Sequence, residues 1–199
     1  MNWEQFAAKA MSISKVGLKY STDPYALENY KELEELTIQM INEVAMTPVT
    51  KTIYERDIYP TPNVSVRVLL FNEEGKLLMV KEKDDGGWAV PGGWCDVFYS
   101  PQENAKKEVL EETGLTVEIN RLLAVYQREK YKDYPTIVSE YVHYFSGTIL
   151  DGAMHENHEV SEVAFFSVEE LPSLSRKTTI LELTRALDVY YGRKEVQFD

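Results

Sequence analysis

The sequence predicts an α/β fold, a mixed sheet with helices on its faces, preceded by a small N-terminal helical pair. Three observations carry this. From Trp3 to Met46 apolar residues recur at three- and four-residue spacing. From Thr50 the period shortens to that of strands broken by turn signals. Those strands are interleaved with two further helical stretches, the pattern of a sheet covered by helices. With 199 residues, 44% of them hydrophobic, the chain can bury one good core and carry an appendage. The expected division is residues 1–48, a helical extension, and residues 49–199, the main domain.

The first helix presents Trp3, Phe6, Ala7, Ala10 and Ile13 on one face. The second follows Asp23-Pro24, a cap residue and a proline suited to a first turn. It carries Leu27, Tyr30, Leu33, Met40, Ile41 and Val44 before Pro48 stops it. Such a pair has too little core to stand alone, so it should dock on the rest of the chain or on a second copy, and a homodimer is expected. After the proline-rich hinge Tyr59–Asn63, Val64–Phe71 is β-rich, Asn72–Gly75 is a hairpin signal and Lys76–Glu82 a second strand. Leu122–Lys130 and Ile137–Leu150, joined through Tyr131–Pro135, predict a long hairpin. Glu162–Pro172 predicts a last strand leading into a turn, and Thr178–Gly192 an amphipathic closing helix.

The formal charge of −12 sets a repulsive field against nucleic acid and anionic membranes, so an anionic substrate must be captured locally, through a metal. A single cysteine, Cys95, excludes an internal disulfide and suits a reducing compartment. No basic start precedes an apolar run at the N-terminus, and no window approaches eighteen uncharged apolar residues. The cytoplasm is expected, with neither export nor membrane insertion.

The chemistry concentrates between Gly92 and Leu115. Ser100-Pro101-Gln102-Glu103 is a capping box with proline in the first turn, so a helix starts at Pro101. Gly114 supplies the left-handed residue that ends it. At about 100° per residue, Glu108, Glu111 and Glu112 fall within an arc of roughly 100°, bordered by Ala105 and Val109, which should pack on the sheet. Clustered carboxylates there raise one another's pKa values unless a cation is bound, and oxygen donors suit Mg2+ or Mn2+. In isolation such a run reads as a solvated acidic face. The preceding Pro91–Gly93 loop, with carbonyls to offer and Trp88 and Trp94 on either side, favours the cation.

This stretch resembles the box of the Nudix hydrolases. Aligned on Gly93, the chain supplies Glu108, Val109, Glu111, Glu112, Gly114 and Leu115, six further positions over 23 residues. It departs at Tyr99, where a glutamate is usual, and at Lys107, where an arginine is usual; both positions brace the loop against the helix in that family. The resemblance covers about residues 63–171 and implies an α/β/α sandwich. The helical pair is similar to the N-terminal extension of bacterial members acting on nucleoside diphosphates linked to another group, such as ADP-ribose or CDP-choline.

Hydrolysis of a pyrophosphate bond with Mg2+ is therefore implied, Mn2+ being possible, and nucleoside monophosphate plus a phosphorylated product would result. Glu108 and Glu112 are the implied metal ligands, Glu111 a third ligand or a brace, and the Gly92 carbonyl a further donor. A general base from a later loop is implied, and Glu159 is chosen ahead of Glu156 and Glu162. Arg67 and Arg128 are candidates for substrate phosphate, and Trp94 and Tyr99 for stacking. Trp88 is expected to pack. His143, His155 and His158 lack zinc-site spacing, and Cys95 has no partners for nucleophilic work. The alternatives are a nucleotide-sugar sensor of the same family without hydrolysis and a hydrolase of RNA ends.

Overall fold

The computed structural model of the protein describes residues 3–44, 61–96, 98–134, 136 and 138–199. Its contacts divide the chain into two compact units, Met1–Pro62 with Tyr134–Ser139, and Asn63–Asp133 with Glu140–Asp199. The expected boundary at residues 48 and 49 and the prolines at 48 and 60 lie outside the described residues.

In the first unit α1 (Trp3–Tyr20) packs on α2 (Pro24–Val44). Asp23 Oδ1 accepts the Tyr25 N–H at 2.9 Å, a cap that starts α2. Ala7, Met11 and Ile41 form the buried centre, with Trp3, Ile38 and Met40 against it. The predicted face is thus rotated: Ala7 and Ala10 are buried with Met11 and Ser14, while Phe6 and Ile13 are each 54% exposed. Small side chains at 7, 10 and 14 let the helices approach closely. Gly17 serves the same end, because a Cβ there would lie 2.3 Å from the Tyr30 ring.

The second unit contains β1 (Asn63–Leu69), β2 (Leu77–Glu82), β3 (Trp88–Ala89), α3 (Pro101–Thr113), β4 (Leu115–Gln127), β5 (Glu140–Gly152), β6 (Val160–Phe166), α4 (Ile180–Tyr190) and β7 (Gln197–Phe198). A four-stranded mixed sheet has the order β1-β5-β4-β7, and a three-stranded antiparallel sheet the order β3-β2-β6. The turn at Asn72–Gly75 forms, with Asn72 Oδ1 accepting the Glu74 and Lys76 N–H groups. Beyond one bridge, Phe71 to Leu77, its arms diverge into different sheets. The reason is burial on both faces of β1. Val66, Val68 and Leu70 pack with Ala105 and Val109 of α3, whereas Leu69 packs with Leu183, Ala186 and Leu187 of α4. Alternate side chains of one strand thus serve two cores, giving the layered helix–sheet–helix arrangement. Among the described residues no helix is long and apolar enough to cross a membrane.

Candidate active site

Three connections meet α3 and build an open cleft of about 790 Å3. The first is the Pro91–Gly93 loop. Val66 and Val68 donate backbone N–H groups to the carbonyls of Gly93 and Pro91, both at 2.9 Å. That ladder leaves the intervening Gly92 carbonyl out. Gly92 has φ 139° and its Cβ would meet the Val66 carbonyl oxygen at 2.1 Å, so no other residue fits. Its N–H donates to Glu112 Oε2 at 2.8 Å.

The helix start is as the sequence predicts: the capping box at Ser100 closes in both directions, and Gly114 ends the helix at φ 75°. Glu112 is 2% exposed, and burial pushes its carboxyl up to about 8 against the opposing pull of the Gly92 N–H and Arg67. Glu108 is also raised, first by burial and then by Glu111 and Glu159, with Lys107 opposing. Its carboxylate lies against Gly93, where a Cβ would be 2.4 Å from Oε2. Glu111 turns outward, and its Oε2 accepts from Lys107 Nζ at 2.9 Å.

Local contacts tie the loop to the helix at the two departures from the usual box. Lys107 also reaches Asp96 at 3.1 Å, tying helix to loop. Buried Asn104 accepts the Asp96 N–H at 2.9 Å and donates to the carbonyls of Tyr99 and Ser100. Tyr99 is left half exposed and does not line the cleft, whereas Trp94 does. Cys95 also lies beside this loop, and burial with Glu108 and Asp96 nearby pushes its thiol up to about 11, which keeps it un-ionised.

The second connection is the loop before β6. Asn157 staples it to α3: Nδ2 donates to the Glu111 carbonyl at 2.8 Å, while Oδ1 accepts from Glu159 and Val160 at 2.8 and 2.7 Å. Glu159 is thereby held on the cleft wall, with His158 Nε2 3.4 Å from its carboxylate. Asn157 had no signal in the sequence beyond its place in an acidic loop.

The third connection precedes α4 and brings Lys177 to the cleft, 2.7 Å from Glu82 at the end of β2. Neither residue was singled out from the sequence. Arg67 is buried, with one nitrogen donating to the Val66 carbonyl and another to the Lys177 carbonyl. Arg128 reaches the cleft too, but its guanidinium is committed to Glu140 at 3.1 Å and to the Arg176 carbonyl at 2.8 Å. Burial alone would lower its pKa; Glu140 and Glu182 outweigh that and raise it. Arg128 thus enters the cleft with its guanidinium already paired to Glu140.

Eight carboxylates and four cations line the cleft, a formal excess of four negative charges. Among the described residues no three His, Cys, Asp or Glu side chains converge into a closed ion cage. Mg2+ does not need one, since it takes one or two carboxylates and fills its octahedron with water and substrate oxygens. Glu112 with its raised pKa, Glu108 cradled on Gly93 and the Gly92 carbonyl supply hard oxygen donors of that kind.

Comparison with known proteins shows the family. The model for the NUDIX domain matches residues 61–187, and that for a UDP-X-like, N-terminal oligomerisation domain matches residues 1–53. A Bacillus subtilis (strain 168) protein provisionally named ADP-ribose pyrophosphatase YjhB is 35% identical, with 99% of this chain and 97% of the relative covered. The crystal structure of a UDP-X diphosphatase matches with a TM-score of 0.65 and 31% identity, covering 98% of this chain and 97% of that one. The structure of an ADP-ribose pyrophosphatase from Streptococcus suis 89-1591 matches with a TM-score of 0.59 and 36% identity, covering 70% of this chain and all of the other. With the domain match spanning most of the chain and the carboxylate helix in place, this protein belongs to the Nudix family of pyrophosphohydrolases.

Proposed function

We propose that the protein hydrolyses the phosphoanhydride bond of a nucleoside diphosphate linked to a second group, releasing a nucleoside monophosphate and a phosphorylated product, with Mg2+ or Mn2+ held on α3. The observation that carries this is the pair Glu108 and Glu112, carboxylates pushed into a partly dehydrated wall where a cation relieves their cost. ADP-ribose and UDP-linked compounds come first as substrates, because relatives so named match along the whole chain. CDP-choline follows them.

Bound at Glu108, Glu112 and the Gly92 carbonyl, the ion would supply charge stabilisation for the leaving phosphate. Glu159 on its stapled loop takes the proton of the attacking water. Arg67, fixed by two carbonyls, faces the same cleft and meets phosphate, while Trp94, half exposed on the rim, offers a stacking face. Tyr99 would favour a sensor without hydrolysis; the Asn104 and Lys107 brace removes that support, and the acidic wall disfavours RNA ends. The N-terminal unit supports self-association as a homodimer, since it carries exposed Phe6, Ile13, Tyr20 and Leu36 and matches an oligomerisation domain. A cytoplasmic setting fits the lone free thiol.

The test is to incubate protein and Mg2+ with ADP-ribose, UDP-sugars, CDP-choline, dinucleotides and nucleoside triphosphates and to follow products. Turnover of a diphosphate-linked compound is expected, abolished by chelator and reduced in Glu159→Gln by roughly 100-fold or more. Binding of any panel member with no product would overturn the reading in favour of a sensor.

A further inference from the structure

The segment Ser173–Thr178, ahead of α4, is fastened at nearly every residue. Ser173 and Ser175 pair with Trp88 of β3 through backbone bonds of 2.9 Å. Asp85 accepts the Ser175 hydroxyl at 3.0 Å and the Arg176 N–H at 2.9 Å, and its other oxygen accepts the Gly87 N–H. Gly87 must be glycine, because a Cβ would lie 2.5 Å from the Ser175 backbone. Thr178 accepts the Val90 N–H, and Arg67 and Arg128 hold the carbonyls of Lys177 and Arg176. A surface connection needs no such fastening. What the strap fixes is the one side chain it sends into the cleft, Lys177.

The four cations of that wall differ in how far they are already used. Arg128 holds Glu140 and the Arg176 carbonyl through its two terminal nitrogens, Lys107 holds Asp96 and Glu111, and Arg67 holds the Val66 and Lys177 carbonyls. Lys177 has one ion-pair partner among the described residues, Glu82 Oε2 at 2.7 Å. An ammonium carries three N–H donors, so two remain for the cleft, and the side chain is one-third exposed there. Glu82 is itself buried, and among the described residues its Oε1 has no hydrogen-bond partner. A buried, half-satisfied carboxylate is costly, and its position makes sense as an anchor for the ammonium across from Glu112.

We propose that Lys177 is a substrate-binding residue that donates to a non-bridging phosphate oxygen of the diphosphate, and that Glu82 is the positioning residue that aims it. This rests on the diphosphate reading above. It assigns the strap and β2, which lie outside the carboxylate helix, to substrate capture in a cleft whose other charges are mostly negative.

The test is calorimetry on the full chain in Mg2+ with the α,β-methylene analogues of ADP and UDP, which present two phosphates and resist cleavage. Lys177→Met should weaken both by roughly 10- to 100-fold, the worth of a hydrogen bond to a charged group, while Lys177→Arg, which keeps the charge, restores most of the affinity. Mg2+ titrated alone should bind wild type and Lys177→Met equally. Glu82→Ala should weaken the analogues in wild type and add nothing in Lys177→Met. Unchanged analogue affinity in Lys177→Met, or an equal loss of Mg2+ affinity, would overturn the assignment. Wild type that binds neither analogue would overturn the diphosphate reading itself, a distinct outcome.

Discussion

Glu112 ties stability, pH and metal together in one residue. Its carboxyl is pushed up to about 8 in the folded chain against an ordinary 4.5. A raised carboxyl binds its proton more tightly when folded, so its stabilising contribution is complete below pH 4.5 and is lost as pH rises through 8. At 1.36 kcal/mol per pKa unit, the apoprotein loses about 3 kcal/mol between pH 5 and pH 8 from this group alone, or roughly 6–12 °C in Tm for a chain of this size. Glu112→Gln keeps an acceptor for the Gly92 N–H but carries no charge, so this part of the pH slope should vanish. Self-repulsion from the −12 net charge acts on both proteins and cancels in the comparison. Thermal melts of both in chelator, from pH 5 to pH 8, read the difference. Adding Mg2+ at pH 8 should return the lost stability to wild type and not to Glu112→Gln. Parallel slopes in the two proteins would refute the buried, proton-holding carboxylate.

The two loop glycines should separate fold from site. Gly93→Ala meets only the flexible end of Glu108, so melting should move by less than about 1 kcal/mol while activity falls roughly tenfold or more, the displaced carboxylate being the cause. Gly92→Ala meets the Val66 backbone at positive φ and should cost about 1–3 kcal/mol or more in denaturant unfolding. On the N-terminal unit, Phe6→Glu with Ile13→Glu touches no buried core, so light scattering should show the proposed homodimer reduced to monomer with each monomer's helicity intact; an unaltered dimer would remove that face from the interface.

What the sequence made legible was local. The boundaries of α3 follow from Ser100, Pro101 and Gly114, each acting within one turn, and the three glutamates follow from helical geometry. The face of α1 was not legible, because Phe6 and Ile13 compete with Met11 and Ser14 and only the partner helix decides. The hairpin at Asn72–Gly75 has the right turn chemistry, yet β1 is buried on both faces and leaves its neighbour for β5, a choice made by long-range packing. β3 and β7, two residues each, carry no periodicity at all. In the cleft, Glu82, Asn157 and Lys177 come from separate connections and signify nothing until folding brings them together. The pairing of Arg128 with Glu140 and Glu182 was illegible for the same reason, since both partners are distant in the chain. Asn104, four residues past the capping serine, ties the loop to the helix through Asp96 and Tyr99, contacts that no local pattern announces.

We propose above that α3 holds a divalent cation through Glu108 and Glu112. Titrating Mn2+ into the chelator-stripped protein and reading the free ion by electron paramagnetic resonance tests it without substrate or turnover. Wild type should take up Mn2+, Mg2+ should compete for the same site, and Glu108→Gln and Glu112→Gln should each weaken uptake by roughly tenfold or more. Mn2+ binding that is absent in wild type, or identical in all three proteins, would rule out a cation site on Glu108 and Glu112.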